Sequence, residues 1–278
     1  MSAALPAPAA RANAQERRWL LWLLLAALVL LAAGIGLRDP WPSDEPRYTL
    51  VAKQMVASGD WLFPHRGSEL YSDKPPMLMW LEAVCYLVTG NWRVAFLLPS
   101  LLAGLATLVL TYDLGRRLWN PRVGLFAAAL LLATFQFVYQ VKRAQIDPLV
   151  MLLISVGNWG LLLHFLQGPN WRAFWLGCFA AGLGVITKGV GVLALVMVLP
   201  YLLARLRRWP GVLMTQSDGW RWTLGALAFL GAILLWLLPM VGIALWRGTP
   251  EYLAYMNDIL FHQTARRYSG SVGGHAQP

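Results

Sequence analysis

Asp44, Arg47 and Tyr48 stand three and four residues apart in "SDEPRYTLVAKQMVASGD", the spacing that puts side chains on one face of a helix. Ser43 or Asp44 suits the N-cap and Pro46 the first turn. A helix is therefore predicted from this point to about Ala57, with Gly59 as its stop. A carboxylate held by an arginine beside a phenol could serve a phosphorylated lipid substrate. A capped surface helix with a local ion pair explains the same residues. Downstream, "YSDKPP" sets Tyr71 and Lys74 before a double proline that fixes an extended approach to the next helix. Lys74 is then rigidly aimed, either as a phosphate clamp or as a lysine reaching for a headgroup boundary.

Two more charges stand beside hydrocarbon. Asp147 in "KRAQIDPLVMLL" lies at the mouth of an apolar run, where ionisable groups are costly and commonly functional. It also suits the N-cap of a helix starting at Pro148. Lys188 in "VITKGVGVL" divides two apolar stretches and needs a counter-ion, either Asp147 or a substrate phosphate. Arg266 and Arg267, followed by Tyr268, offer a second phosphate contact or a solvated basic tail. The histidines at 65, 164, 262 and 275 have no metal-ligand spacing, so no metal site and no cofactor are expected. No Walker or dinucleotide glycine loop occurs.

These residues are positioned by a chain that is 58% hydrophobic and 13% charged, with mean hydropathy +0.53. Such values belong to polytopic membrane proteins. The net charge of +10 is not gathered in one run, which argues against nucleic acid. Basic clusters at Arg17/Arg18, Arg116/Arg117/Arg122 and Arg205/Arg207/Arg208 fall between apolar segments, as in cytoplasmic loops. Spans are predicted at 19–37, 92–112, 123–141, 148–166, 173–186, 190–203 and 222–246. The fifth and sixth are short and share a break at Thr187-Lys188-Gly189. The 76–89 segment contains Glu82 and is short for a span. Placing it on the membrane surface keeps all three basic clusters on the side of the N-terminus.

The fold class is therefore all-α and polytopic: about seven transmembrane helices, with interfacial helices in the first external loop. Residues 1–18 form a cytoplasmic segment and 19–246 the membrane module, with its external loop at 38–91. Residues 247–278 form a second external loop that looks cut short. This topology brings the 44–74 loop, the 143–147 turn, Lys188 and Arg266/Arg267 to one face. Cys85 and Cys178 sit in apolar surroundings and suggest buried thiols.

"SDEPRYTLVAKQMVASGDWLFP" followed by "YSDKPPMLMW" resembles the first external loop of the bacterial aminoarabinose transferases of lipid A. These are relatives of the protein O-mannosyltransferases, in the GT-C membrane glycosyltransferases (glycosyltransferase family 39). "IDPLV", "TKGVGVLAL" and "EYLAYMNDILFHQTARRYSG" resemble later blocks in order, so the resemblance covers nearly the whole chain after Arg17. It implies that Asp44 and Asp147 are the catalytic acidic positions. It implies that Arg47, Tyr48, Tyr71, Lys74 and Arg267 line the polyprenyl-phosphate site; Glu45 and Lys188 are further candidates. The implied partners are a polyprenyl-phosphate-linked sugar, a lipid A or other periplasmic acceptor, and membrane lipids. The implied location is the bacterial inner membrane, N-terminus inside, active site toward the periplasm. A polyprenyl-phosphate-sugar flippase and a non-catalytic membrane fragment stay open beside the transferase.

Overall fold

The computed structural model describes residues 14–209 and 219–262 of the 278-residue chain. It is helical apart from one two-stranded hairpin. The first helix, α1 (Ala14–Ala32), is 19 residues long, about 28 Å at 1.5 Å per residue. It ends five residues before the predicted 37, in turns at 33–37. Next comes α2 (Asp44–Ser58), which Gly59 stops in a left-handed conformation. The strands β1 (His65–Arg66) and β2 (Glu69–Leu70) pair antiparallel. They lead to α3 (Met77–Thr89).

The bundle follows. A short α4 (Trp92–Ala95) runs into α5 (Leu98–Leu118). Then come α6 (Pro121–Ala133) and α7 (Phe135–Val141), α8 (Ile146–Gln167) and α9 (Trp171–Lys188). A 3-10 turn at Val190–Met197 continues as α10 (Val198–Leu206). The chain then forms α11 (Gly219–Arg247) and α12 (Pro250–Asn257), with a π turn at Asp258–His262. Asparagines cap three of the bundle helices: Asn91, Asn120 and Asn170 each accept a backbone N–H two or three residues on.

Among the described residues, three helical stretches are long and apolar enough to cross a bilayer: Trp92–Leu118, Ile146–Gln167 and Gly219–Arg247. The pair α6 and α7 makes a fourth if counted as one broken span. That pair was predicted as one continuous helix over 123–141. Instead it bends by 70° at Thr134, whose backbone is extended and whose hydroxyl donates back to the Leu130 carbonyl. The α3 helix, short and apolar, is a separate element packed beside α2.

Helix contact relies on small residues. A Cβ added at Gly160 would lie 2.1 Å from the Ala173 carbonyl oxygen, so α8 and α9 touch backbone to backbone there. Gly189 ends α9 at φ +84°, which a side chain would strain, and holds Lys188 at the helix terminus. One apolar cluster joins α2 and α3 to the start of α8 through Val51, Met55, Leu78, Met79, Ile146 and Val150. Another docks the 59–70 loop onto α9, α11 and α12 through Phe63, Ile186, Met240 and Tyr255. These two clusters fasten the charged first loop to one end of the bundle.

Candidate functional site at one end of the bundle

The predicted helix face exists. Arg47 donates to Asp44 at 2.5 Å and stands 3.6 Å from Asp73. Its guanidinium packs over the rings of Tyr48 and Tyr71 at 5.2 and 6.0 Å. Arg66 approaches the same Tyr71 ring at 5.9 Å and Asp73 at 4.0 Å. Burial pushes the Tyr48 phenol up to about 12, with Asp44 adding to the rise, Arg47 opposing it and Asp147 contributing from α8. Burial also raises Tyr71, against the pull of Arg47. Both phenols therefore stay protonated at neutral pH and can donate. The Tyr71 hydroxyl is buried without a hydrogen-bond partner among the described residues, which is costly unless something else accepts from it.

Asp147 and Lys188 complete the group as an ion pair between the first turn of α8 and the last residue of α9. Asp147, one of the two counter-ions expected for Lys188, meets it here. The N-cap expectation for Asp147 is corrected: α8 begins at Ile146 with Gln145 as its cap, so Asp147 sits inside the first turn. There it still gains from the helix dipole. No side-chain cap forms at Ser43, because Asp44 turns to Arg47 instead. Lys74 lies half-buried between the hairpin and α3, next to the Ser72–Asp258 hydrogen bond that ties this loop to the end of α12. Arg266 and Arg267 lie outside the described residues.

Glu45 behaves differently from its neighbour Asp44. It is fully buried and accepts both guanidinium nitrogens of Arg38 at 2.6 and 2.9 Å. It also accepts the backbone N–H groups of Trp41 at 2.6 Å and Ala144 at 3.0 Å. Burial alone would raise this carboxyl. Arg38 and the two backbone donors outweigh burial and hold it below the ordinary range. Arg38 further donates to the Lys142 carbonyl at 3.0 Å. One carboxylate thus clamps the 38–41 linker, the first turn of α2 and the α7–α8 turn. Glu45 holds Asp44 and Asp147 at a fixed spacing and has no lone pair left over for substrate.

Sequence reasoning missed Arg38. It sits in a loop seven residues before Glu45, where no periodicity pairs them. Arg66, Asp73 and Asp258 were missed as members of the site for the same reason: only the hairpin and α12 bring them in. The one available hint was a glutamate in the segment that follows α1, since a carboxylate that becomes buried needs a partner. Among the described residues no group of three or more His, Cys, Asp or Glu side chains is placed to hold a metal ion.

An apolar helical bundle that carries its acids, arginines and phenols on helices packed over one end has the architecture of the GT-C membrane glycosyltransferases. The chain belongs to the dolichyl-phosphate-mannose-protein mannosyltransferase family, whose pattern matches residues 73–246. It is 32% identical over 263 residues to the undecaprenyl phosphate-alpha-4-amino-4-deoxy-L-arabinose arabinosyl transferase of Pseudomonas savastanoi pv. phaseolicola, covering 92% of this chain and 46% of that protein. The transferase of the same name from Pseudomonas aeruginosa (strain LESB58) is 32% identical over 266 residues, covering 91% of this chain and 45% of that one. ArnT from Cupriavidus metallidurans, crystallised bound to undecaprenyl phosphate, superposes with TM-score 0.74 at 25% identity, over 91% of this chain and 45% of ArnT. The S. cerevisiae Pmt1-Pmt2 complex with its sugar donor shares the fold, with TM-score 0.64 at 19% identity over 85% of this chain and 35% of that one. The chain spans about half the length of the curated relatives it matches.

Proposed function

We propose that the protein containing this chain is a membrane glycosyltransferase that moves a sugar from a polyprenyl-phosphate donor to a periplasmic acceptor, lipid A in the first instance. The carrying observation is the cluster of Arg47, Tyr48, Tyr71, Asp44, Asp147 and Lys188 at one end of the bundle, in a chain of this family. The relatives in Pseudomonas are named for an undecaprenyl-phosphate aminosugar donor, and that donor class is carried over here. The full topology is part of the proposal: seven spans, residues 1–18 in the cytoplasm, and loops 38–91 and 247–278 on the periplasmic side of the inner membrane.

The chemistry follows from the charges. Departure of the lipid phosphate from the anomeric carbon leaves a monoester with extra negative charge. Lys74, Arg47 and Arg267 stabilise it in a water-poor site, where such contacts are strong. Tyr48 and Tyr71, protonated at neutral pH, donate to the same oxygens. Asp44 orients the acceptor and deprotonates it where it is a hydroxyl. An acceptor phosphate is already ionised, and Asp44 then serves orientation alone. Asp147 holds Lys188 in place through their ion pair.

The test uses the full-length protein with a polyprenyl-phosphate sugar and lipid A. Wild type is expected to release polyprenyl phosphate and add one sugar mass to lipid A. Asp44→Asn and Lys74→Ala are each expected to lower kcat/KM by at least about a hundredfold with normal membrane insertion. Relocation of intact donor without release would identify a flippase. Near-normal transfer by either variant would remove its assigned role.

A further inference from the structure

We infer that the hollow between the end of α1, the 33–42 linker and α7 seats the phosphate-bearing acceptor lipid. The inference rests on the proposed transfer reaction and adds a place for its second substrate. The hollow encloses about 690 Å³ and is walled by Leu31, Ile35, Leu97, Val138 and Val141, with Arg38, Lys142 and Arg143 among its polar lining. That size suits part of an acyl chain with its headgroup. The bend at Thr134 creates it, because α7 turns aside and presents Phe135, Val138 and Tyr139 to the space.

The charge balance identifies the ligand. Arg38 is neutralised by Glu45. Lys142 donates only to the carbonyls of Leu30 and Ala33, at 2.9 and 2.8 Å. Arg143 donates to the Tyr139 hydroxyl at 2.6 Å and approaches the Pro42 carbonyl at 3.4 Å. Among the described residues neither Lys142 nor Arg143 makes an ion pair. Among the described residues, two cations without a carboxylate partner therefore line an apolar chamber at the end of α1, Lys142 capping that helix's last carbonyls and Arg143 meeting only neutral oxygens. Trp41 and Phe135, 68% and 78% exposed, stand at its rim as headgroup-level aromatics do. An anionic headgroup on an acyl chain meets all of these features at once.

Position then favours the acceptor over the donor. Glu45 lines the hollow, whereas its neighbour Asp44 belongs to the Arg47 cluster. The first turn of α2 thus stands between the two binding regions, with a candidate catalytic carboxylate on it. Arg143 precedes Asp147 by four residues, so the α7–α8 turn links the regions a second time.

The experiment uses the full-length protein and reads binding without turnover, by native mass spectrometry with bis-phosphorylated lipid A, its dephosphorylated counterpart and phosphatidylglycerol. Wild type is expected to prefer the phosphorylated lipid A. Arg143→Ala is expected to lose roughly ten- to a hundredfold of that affinity, with donor KM unchanged, and Arg143→Lys to recover part of it. A Tyr139→Cys variant is expected to react with a maleimide when lipid-free and to be protected by lipid A. Unchanged lipid A affinity in Arg143→Ala would overturn the inference, as would equal retention of phosphatidylglycerol. A Tyr139→Cys variant whose new thiol is blocked in the lipid-free protein would overturn it too, by showing that the rest of the protein fills the hollow. Absence of sugar transfer with this binding pattern intact would remove the proposed reaction and leave the lipid site standing.

Discussion

Two ion networks sit at opposite ends of the bundle and are built to different rules. At one end Asp113 on α5 accepts from Arg116 and Arg117 at 2.5 Å and from the Trp159 indole at 2.8 Å. Trp159 is twelve residues along α8 from Asp147, about 18 Å at 1.5 Å per residue. The acid is 19% exposed and three donors share its two oxygens. At the other end Asp44 pairs with Arg47 and Asp147 with Lys188, and the two acids remain 36% and 43% exposed. The Tyr71 hydroxyl there lacks a partner among the described residues. A closed network holds helices together. An open one keeps donors and acceptors for a guest, at a cost in stability that only binding offsets.

Glu45 tests this contrast most severely, because it is a closed network inside the open end. Glu45→Ala leaves the part-buried Arg38 without its carboxylate, beside two orphaned backbone donors, and unties Asp44 from Asp147. The expected result is a loss of transfer of about a hundredfold, together with a lower melting temperature of the purified protein. The pH dependence carries a sign. The folded-state carboxyl is held below its ordinary 4.5, so its stabilisation is complete above that value and is lost as pH falls through the lower folded value. The variant should lack that acid limb in thermal melts. A variant that melts normally and transfers sugar normally would end the claim that Glu45 positions the site.

The contrast also marks what could be read from the residues alone. The α2 face of Asp44, Arg47 and Tyr48 was legible because helical spacing is local. The pairing of Asp147 with Lys188 was legible as one of two options, because hydrocarbon demands a counter-ion for each. Arg38 with Glu45, and Ser72 with Asp258, were not legible, since loops carry no period and only tertiary packing brings them together. The bend at Thr134 was hidden for a related reason: hydropathy over 123–141 is continuous, and a single threonine in that run gives no warning that its backbone turns extended.

At the closed end, Asp113→Ala should cost stability without affecting chemistry. Removing the shared acceptor strands Arg116, Arg117 and the Trp159 N–H, a loss of about 1–3 kcal/mol. Denaturant or thermal melts in detergent would show it. kcat/KM per folded molecule should stay within about twofold, since the acid's partner Trp159 is about 18 Å along α8 from Asp147. A large fall in kcat/KM at unchanged stability would mean that the closed network also serves the reaction.

The smallest effect is expected from Glu82 on α3, and it sharpens the comparison from the opposite direction. This carboxyl is fully buried against α2, and neither oxygen has a hydrogen-bond partner among the described residues. Burial pushes it well above its ordinary 4.5, with the Thr49 hydroxyl opposing. The fold therefore holds this proton more tightly than the unfolded chain does, the opposite of Glu45 one helix away. The unfolded chain ionises above 4.5 while the folded one ionises only at higher pH, so stability falls as pH rises from that value toward the folded one. Glu82→Met keeps the volume and removes both unpartnered oxygens, which should stabilise the protein by about 1 kcal/mol near pH 5. The advantage should widen as pH rises, because the variant has nothing to ionise. Parallel melts of the two proteins from pH 5 to pH 8 would show the curves diverging; a constant gap would mean that Glu82 finds a proton-independent partner in the complete protein.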